Sequence, residues 1–527
     1  MTDKTDKSHS QSTSKIAYEN LKKRFAELSH LEGAAGILSK DAETAMASGS
    51  SEDRSLQLQT LATLRHRLIT DPVVLQWLSE VEAYASTLSP EDQRNLFLMR
   101  KDWIDANILS SELARELARL ASEGSELHTK YKSSGDWSKM KDWYAHSFNT
   151  MREVAKAKMA SLPGMFVSPY EALLDFFNPG LKEATVVREF AKLEKSLPAL
   201  IREAQKKQEQ TPPPLSLHGP FPFDQVKELC DLLLKSIGFD FNRGRFDLCK
   251  HHPSCNGTAD DVRITAQYYE NDFLPTIYAA LHEGGHALYE QSRPKAWRYQ
   301  PAGYHLGMSI HETESRIIEV QACHTPEFFQ FLEKQARKIF DRPDDPALSA
   351  KNLERLMNRI EPGFIRIEAD EITYPAHVIL RQKLEKALIE ETMLIDDLPK
   401  AWNDGMHDLL GITPPNHAQG CMQDMHWPSG AIGYFPAYTA PGGDAGASQL
   451  FSAACKARPE IRPELANGNF KPLQEWLCEN VYSKGSFLTP DELFISATGE
   501  LPNTRHYINH LSQRYLGKSW NEDESEI

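Results

Sequence analysis

Residues 282–286 read His-Glu-Gly-Gly-His, and no other stretch constrains the local fold as tightly. On an α-helix, histidines at i and i+4 project from one face, about 6 Å apart along the axis. That span suits a single metal ion with nitrogen bonds of roughly 2.0–2.1 Å. Glu283 is next in sequence, so it points off the histidine line, close to where a metal would place water and not as an obvious ligand. With 19 histidines in the chain the pattern could arise by chance, and its surroundings argue against that. Leu274, Ile277, Tyr278, Leu281 and Leu288 recur at helical spacing and predict a half-buried helix. Asn271 and Asp272 supply start signals, and Pro275 suits the first turn. Gly284 and Gly285 oppose the helix, each costing about 1 kcal/mol against alanine. Metal ligation or close packing has to compensate.

Glu312 follows as a possible third ligand. It has structural rivals. Ser309-Ile310-His311-Glu312 reads as an S-x-x-E capping box, in which Glu312 bonds back to the backbone at a helix start. Glu312 and Arg316 also have the i, i+4 spacing of an exposed ion pair. Spacing alone leaves these readings open.

Composition bounds the rest. At 527 residues the chain can bury a large core and could hold more than one domain of about 150 residues. The net charge of −15 and a pI near 5.7 speak against nucleic acid or an anionic membrane as partner. No run of about 18 apolar residues is present, so no membrane span is expected. The opening residues, 1–15, lack the apolar core of a signal peptide and are expected to be a disordered polar tail. The seven cysteines are odd in number, scattered, and form no C-x-x-C pair. Reduced thiols and a cytoplasmic setting are expected.

Helical patterns dominate the chain. Leu113, Leu117 and Leu120 lie on one face of a helix expected over Ser110–Ser122. Thr211-Pro212-Pro213-Pro214 cannot continue a helix and marks the best internal boundary. The chain divides on this reading into a helical region, 16–211, a catalytic region, 212–518, and an acidic tail, 519–527. The two regions are expected to merge into one integrated catalytic domain. Val262, Ile264 and Thr265 favour a strand, so a small sheet is predicted near the histidine helix. Helices resume after Pro275 and break at Pro414-Pro415 and in the Gly/Pro/aromatic loop from Gly420 to Gly443.

Three further clusters carry chemistry. Alternation in Asp261-Val262-Arg263-Ile264-Thr265 puts Asp261, Arg263 and Thr265 on one side of a strand, where a solvated internal ion pair is the plain alternative. Ile365-Arg366-Ile367-Glu368-Ala369-Asp370 fits an ordinary amphipathic helix equally well. The loop Gly420-Cys421-Met422-Gln423-Asp424-Met425-His426-Trp427 runs on to Tyr434 and Tyr438. A histidine and two tyrosines on a glycine-rich loop are good donors for a developing oxyanion. An aromatic-packed turn is the alternative.

Taken in order, these motifs resemble the thermostable metallocarboxypeptidase family typified by carboxypeptidase Taq. The series runs through an H-P-F-like His252-Pro253-Ser254, D-x-R-x-T at 261–265 and H-E-x-x-H at 282–286. It continues with His311-Glu312-Thr313-Glu314, I/L-R-x-x-A-D at 365–370 and G-x-x-Q-D-x-H-W at 420–427. The likeness extends from Leu96–Trp103 to Ala497–Glu500 and covers roughly residues 16–515. Two departures stand out. Ser254 replaces phenylalanine, and Thr313-Glu314 replaces a small residue and glutamine.

The resemblance implies a mainly α, two-lobed helical metallopeptidase with a deep central groove and a small sheet near the active-site helix, usually a homodimer. It assigns His282, His286 and Glu312 as ligands of one divalent metal, zinc or else cobalt. The residues then imply Glu283 as general base, with His426 and Tyr434 (or Tyr438) as oxyanion donors. Arg366 first and Arg263 second are candidates to hold the terminal carboxylate of a peptide substrate with a free C-terminus. A neurolysin-like metallo-endopeptidase and a catalytically silent scaffold are the alternatives.

Overall fold

The computed structural model describes residues 2–249 and 253–520, the side chains of 2–13, 48 and 111 excepted. His252 and the acidic stretch 521–527 lie outside the described residues. As predicted, the chain is mainly α-helical: the described residues form twenty α-helices and one three-stranded sheet. None of these helices is long and apolar enough to cross a membrane. No disulfide joins any of the seven cysteines among the described residues.

Two compact units account for the chain, each drawn from separate stretches. The first comprises Met1–Ile108, Gly219–Leu306 and Gly468–Thr489; the second comprises Leu109–His218, Gly307–Asn467 and Pro490–Ile527. The proline-rich connection at 212–214 thus lies inside the second unit. The helix Glu183–Glu209 does stop before it, as proline's missing N–H requires. Helix punctuation shows where an element stops, whereas the units follow from which buried faces meet.

The first unit opens with α1 (Thr2–Thr44), which takes in the polar stretch expected to be a disordered tail. Further on come α2 (Phe223–Ile237), β1 (Gly244–Cys249), β2 (Ser254–Thr258), β3 (Asp261–Gln267) and α3 (Leu274–Ser292). The sheet has the order β1-β3-β2, with β1 parallel and β2 antiparallel to β3. Period-two burial on β3 is as read: Val262, Ile264 and Ala266 face inward, while Asp261 and Arg263 are half-buried. Thr265 shares the Arg263 side but is fully buried, because α1 reaches it. The buried Lys40 ammonium donates to Thr265 Oγ1 at 2.9 Å, to the Ser254 carbonyl at 2.9 Å and to Glu43 at 3.0 Å. Ser254 therefore faces a polar socket and also donates to Glu43.

α3 packs on β3 and on α2. Asp272 Oδ1 accepts from the Leu274 N–H at 3.0 Å and Pro275 sits in the first turn, as the start signals imply. Gly284 is explained by proximity. A Cβ there would lie 2.7 Å from both Ile237 Cδ1 and Leu234 Cδ2 of α2. Close packing offsets its low helix propensity. Gly284→Val is expected to lower unfolding stability by about 1–3 kcal/mol through overpacking. An unchanged denaturation midpoint would contradict that account.

The second unit contains α4 (Gly307–Arg316), α5 (Tyr374–Ile389) and α6 (Gly443–Ala457). Much of its core gathers around Trp427, whose ring meets Trp402, Phe148 and Phe435 with centroids 5.8, 5.9 and 6.3 Å away. α5 is buried on most sides, and its charged members Arg381 and Glu385 are buried with it. Such groups persist in a core only when paired or hydrogen-bonded.

Candidate metal centre

The helix α3 does what the pentapeptide requires. His282 and His286 stand on one face with ring centroids 4.8 Å apart and planes at 89°. His286 and Glu283 are buried, at 6% and 5% exposure, and His282 is half-buried.

Glu312 lies on α4, and the capping-box reading fails there. The helix begins at Gly307, so Ser309 lies inside it. Gly307 adopts φ of 78°, and a Cβ there would meet Pro179 Cδ at 2.6 Å. The Ser309 N–H donates to Asn178 Oδ1 at 2.7 Å instead of seeking a local cap. The ion-pair reading fails as well, because Arg316 is committed to Asp444 at 2.6 Å and Glu319 at 2.7 Å. The Glu312 carboxylate is buried and accepts from Ser315 Oγ at 3.3 Å. One candidate ligand atom from each of His282, His286 and Glu312 lies within 4.8 Å of the other two. As a donor set, two imidazole nitrogens and one carboxylate oxygen suit a divalent transition metal.

Within the second unit, Glu312 lies among the aromatic residues read as oxyanion donors. Burial first, then the negative charge of Glu312, raises the Tyr434 phenol well above its ordinary value. The same two causes act on Tyr438, with the neighbouring tyrosines between them in order. The Tyr434 and Tyr438 rings are 5.1 Å apart, and His426 lies 5.7 Å from Tyr434 and 4.6 Å from Phe435. Burial lowers the His426 pKa to about 4, and the guanidinium groups of Arg366 and Arg381 act in the same direction against Asp424. His426 is therefore a neutral imidazole near pH 7, able to donate a hydrogen bond. Its Nδ1 is buried without a partner.

Arg366 is buried in a short 3₁₀ turn, Arg366–Glu368, and not in the longer amphipathic helix that its sequence also allowed. Its Nε bonds Asp424 at 3.1 Å and its Nη1 bonds the Tyr374 hydroxyl at 3.0 Å, while Nη2 makes no hydrogen bond among the described residues. Arg263 stands on β3 and is closed by a two-point pair with Asp261 at 2.8 and 2.9 Å. That is the internal ion pair weighed as the plain reading.

Sequence reasoning quoted Asp424 without a role and missed Arg381 and Glu385. Asp424 sits between Arg366 and Arg381, with Arg381 Nε 2.7 Å away. Burial opposes its charge, but the two guanidinium groups outweigh this and hold its carboxyl well below the usual range. Glu385 accepts from Trp427 Nε1 at 2.8 Å, the Tyr170 hydroxyl at 3.1 Å and the Gly433 N–H at 3.1 Å. Burial raises its pKa to about 8. Together the two carboxyl groups tie down both ends of the loop that presents His426 and Tyr434. The available signal was an Arg and a Glu at i, i+4 on the same face as apolar residues of the helix, Arg381 and Glu385 beside Val378 and Leu388.

The model of the carboxypeptidase Taq (M32) metallopeptidases matches residues 20–515. The chain belongs to that family. Among curated relatives, thermostable carboxypeptidase 1 of Thermus thermophilus is 32% identical, covering 95% of this chain and 99% of the relative. Carboxypeptidase 1 of Bacillus subtilis is 30% identical, covering 93% and 96%. Among solved structures, Trypanosoma cruzi metallocarboxypeptidase 1 superposes with a TM-score of 0.91 at 31% identity, over 95% of this chain and 99% of that one. This M32 chain is a metal-dependent carboxypeptidase, a hydrolase of peptide bonds, and the metallo-endopeptidase alternative is set aside.

Proposed function

We propose that His282, His286 and Glu312 hold one divalent metal, zinc or else cobalt, and that Glu283 is the general base of peptide hydrolysis. The convergence of the three donor atoms within 4.8 Å supports this reading most directly. When bound, the metal supplies Lewis acidity that lowers the pKa of water towards about 7 and polarises the scissile carbonyl. Glu283 takes the proton from the attacking water and passes it to the departing amine. His426 and Tyr434, with Tyr438 as the alternative phenol, donate hydrogen bonds to the oxyanion that forms at the carbonyl. Arg366, through Nη2, gives the substrate's terminal carboxylate a charge-assisted bond. Arg263 stands second for that task, since Asp261 already fills its fork.

The substrate is then a peptide with a free C-terminus. An unblocked peptide and its C-terminal carboxamide, compared by mass spectrometry over time, test this. Stepwise shortening of the first and little or no cleavage of the second are expected; equal cleavage would remove the carboxylate from recognition.

His426 gives a second test. His426→Gln should lower kcat by about 10²–10³-fold, the cost of one oxyanion donor. With a pKa of about 4, the imidazole charges only as pH falls towards 4. The variant should therefore keep the shape of the wild-type pH profile above pH 5, and loss of a limb near pH 6.5 would contradict the neutral donor. We also propose a homodimer, which resemblance to the family supports, and a cytoplasmic setting, which cysteines without a disulfide among the described residues favour. Light scattering on the purified chain checks the dimer.

A further inference from the structure

A cavity of about 670 Å³ lies wholly within the second unit, and none of the residues assigned to the metal centre lines it. Its volume falls in the range of roughly 300–1,000 Å³ typical of small-molecule sites. Five cationic side chains line it, Lys207, Lys351, Arg355, Arg359 and Arg514, against a single carboxylate, Glu354. The chain as a whole carries −15, so this local excess of positive charge runs against its surroundings. Arg359 pairs with Glu361, and Arg514 is fixed by Glu371 at 2.7 Å and by the Val320 carbonyl at 3.0 Å. Lys207, Lys351 and Arg355 make no ion pair among the described residues.

Helix electrostatics accounts for part of this set only. Lys207 and Arg355 stand in the last turns of Glu183–Glu209 and Ala350–Met357, where cations are favoured. Lys351 stands in the first turn of Ala350–Met357, the end that disfavours a cation. Glu354, three residues on in the same helix, is the single carboxylate beside it, set among three cations that make no ion pair among the described residues. Asn358 adds a second observation, because its Oδ1 is buried without a partner while the residue lines the same cavity. An amide can present either acceptor or donor by a flip. Pro212, Pro213 and Pro214 form part of the wall, with fixed φ and no N–H to satisfy.

We propose that this cavity binds a small anion bearing phosphate groups, a site separate from peptide hydrolysis. Lys351 and Arg355, one turn apart on the same helix, contact the phosphates, with Lys207 facing them from the neighbouring helix. The guanidinium fork supplies paired hydrogen bonds and the lysines supply point charges. The proline wall takes the uncharged remainder of the ligand.

Calorimetric titration of the metal-loaded, full-length protein with pyrophosphate tests the proposal. Binding should weaken steeply with added salt, and inorganic phosphate should bind more weakly than pyrophosphate. The double variant K351E/R355E should bind at least about tenfold more weakly, since it removes two charge-assisted contacts. K207Q, which removes one charge at an exposed position, should weaken binding with little cost to the fold. Both variants should release amino acids at the wild-type rate when pyrophosphate is absent. Equal affinity in the wild type and both variants would place the anion elsewhere, at the metal for example, and overturn the proposal. So would the absence of binding at millimolar pyrophosphate.

Discussion

Treatment with a chelator is expected to bring release of C-terminal amino acids to background, and added zinc or cobalt to restore it. The argument rests on the donor set. His282, His286 and Glu312 could hold a metal ion, and a metal bound by them would supply several kcal/mol of charge stabilisation. Glu312→Ala sharpens the test. Losing a mere outer-shell partner costs a metal site roughly 10–100-fold in affinity, so removing a direct ligand should cost more. Metal analysis of the purified variant should show well under one ion per chain, against one for the wild type. Full activity after chelation, or one tightly held ion in the Glu312 variant, would overturn the assignment.

The second large effect concerns Glu283. Glu283→Gln preserves size and hydrogen-bonding reach and removes the ability to take a proton. A fall in kcat of about 10²–10⁴-fold is expected, the usual contribution of general acid–base catalysis. Metal content should be unchanged, because Glu283 points off the line joining the two histidines. KM should move little, since substrate binding is assigned to other groups. The pair of measurements separates two roles: a variant that loses its metal would mark Glu283 as a ligand, and one that keeps both metal and turnover would remove it from the chemistry.

The contrast between Glu283 and Glu312 shows what could be read in the chain. The H-E-x-x-H element declares its own geometry, because a helix converts a spacing of four into a shared face. Glu312 could not be settled that way. Its spacing fitted a capping box and an ion pair as well as a ligand, and only the family resemblance favoured the last. The structure removes the first two, through a helix that begins at Gly307 and an arginine already committed to Asp444 and Glu319. Arg263 shows the reverse. Its alternation was legible, and the two-point pair with Asp261 was the plainer of its two readings.

The local facts followed from the chain alone: helix starts at Asp272-Pro275 and Ser110, the alternation of β3, the helix stop before Pro212, and the histidine pair. Each depends on neighbours within a few residues, where backbone geometry maps position directly onto direction. Tertiary structure alone decided the rest. The glycine at 284 needed α2 beside it. The polar socket around Ser254 needed Lys40, more than two hundred residues earlier. The loop bearing His426 needed Asp424 and Glu385 held among buried arginines and aromatic rings. Burial and pairing between distant segments depend on how whole faces meet, and spacing along the chain carries no record of that.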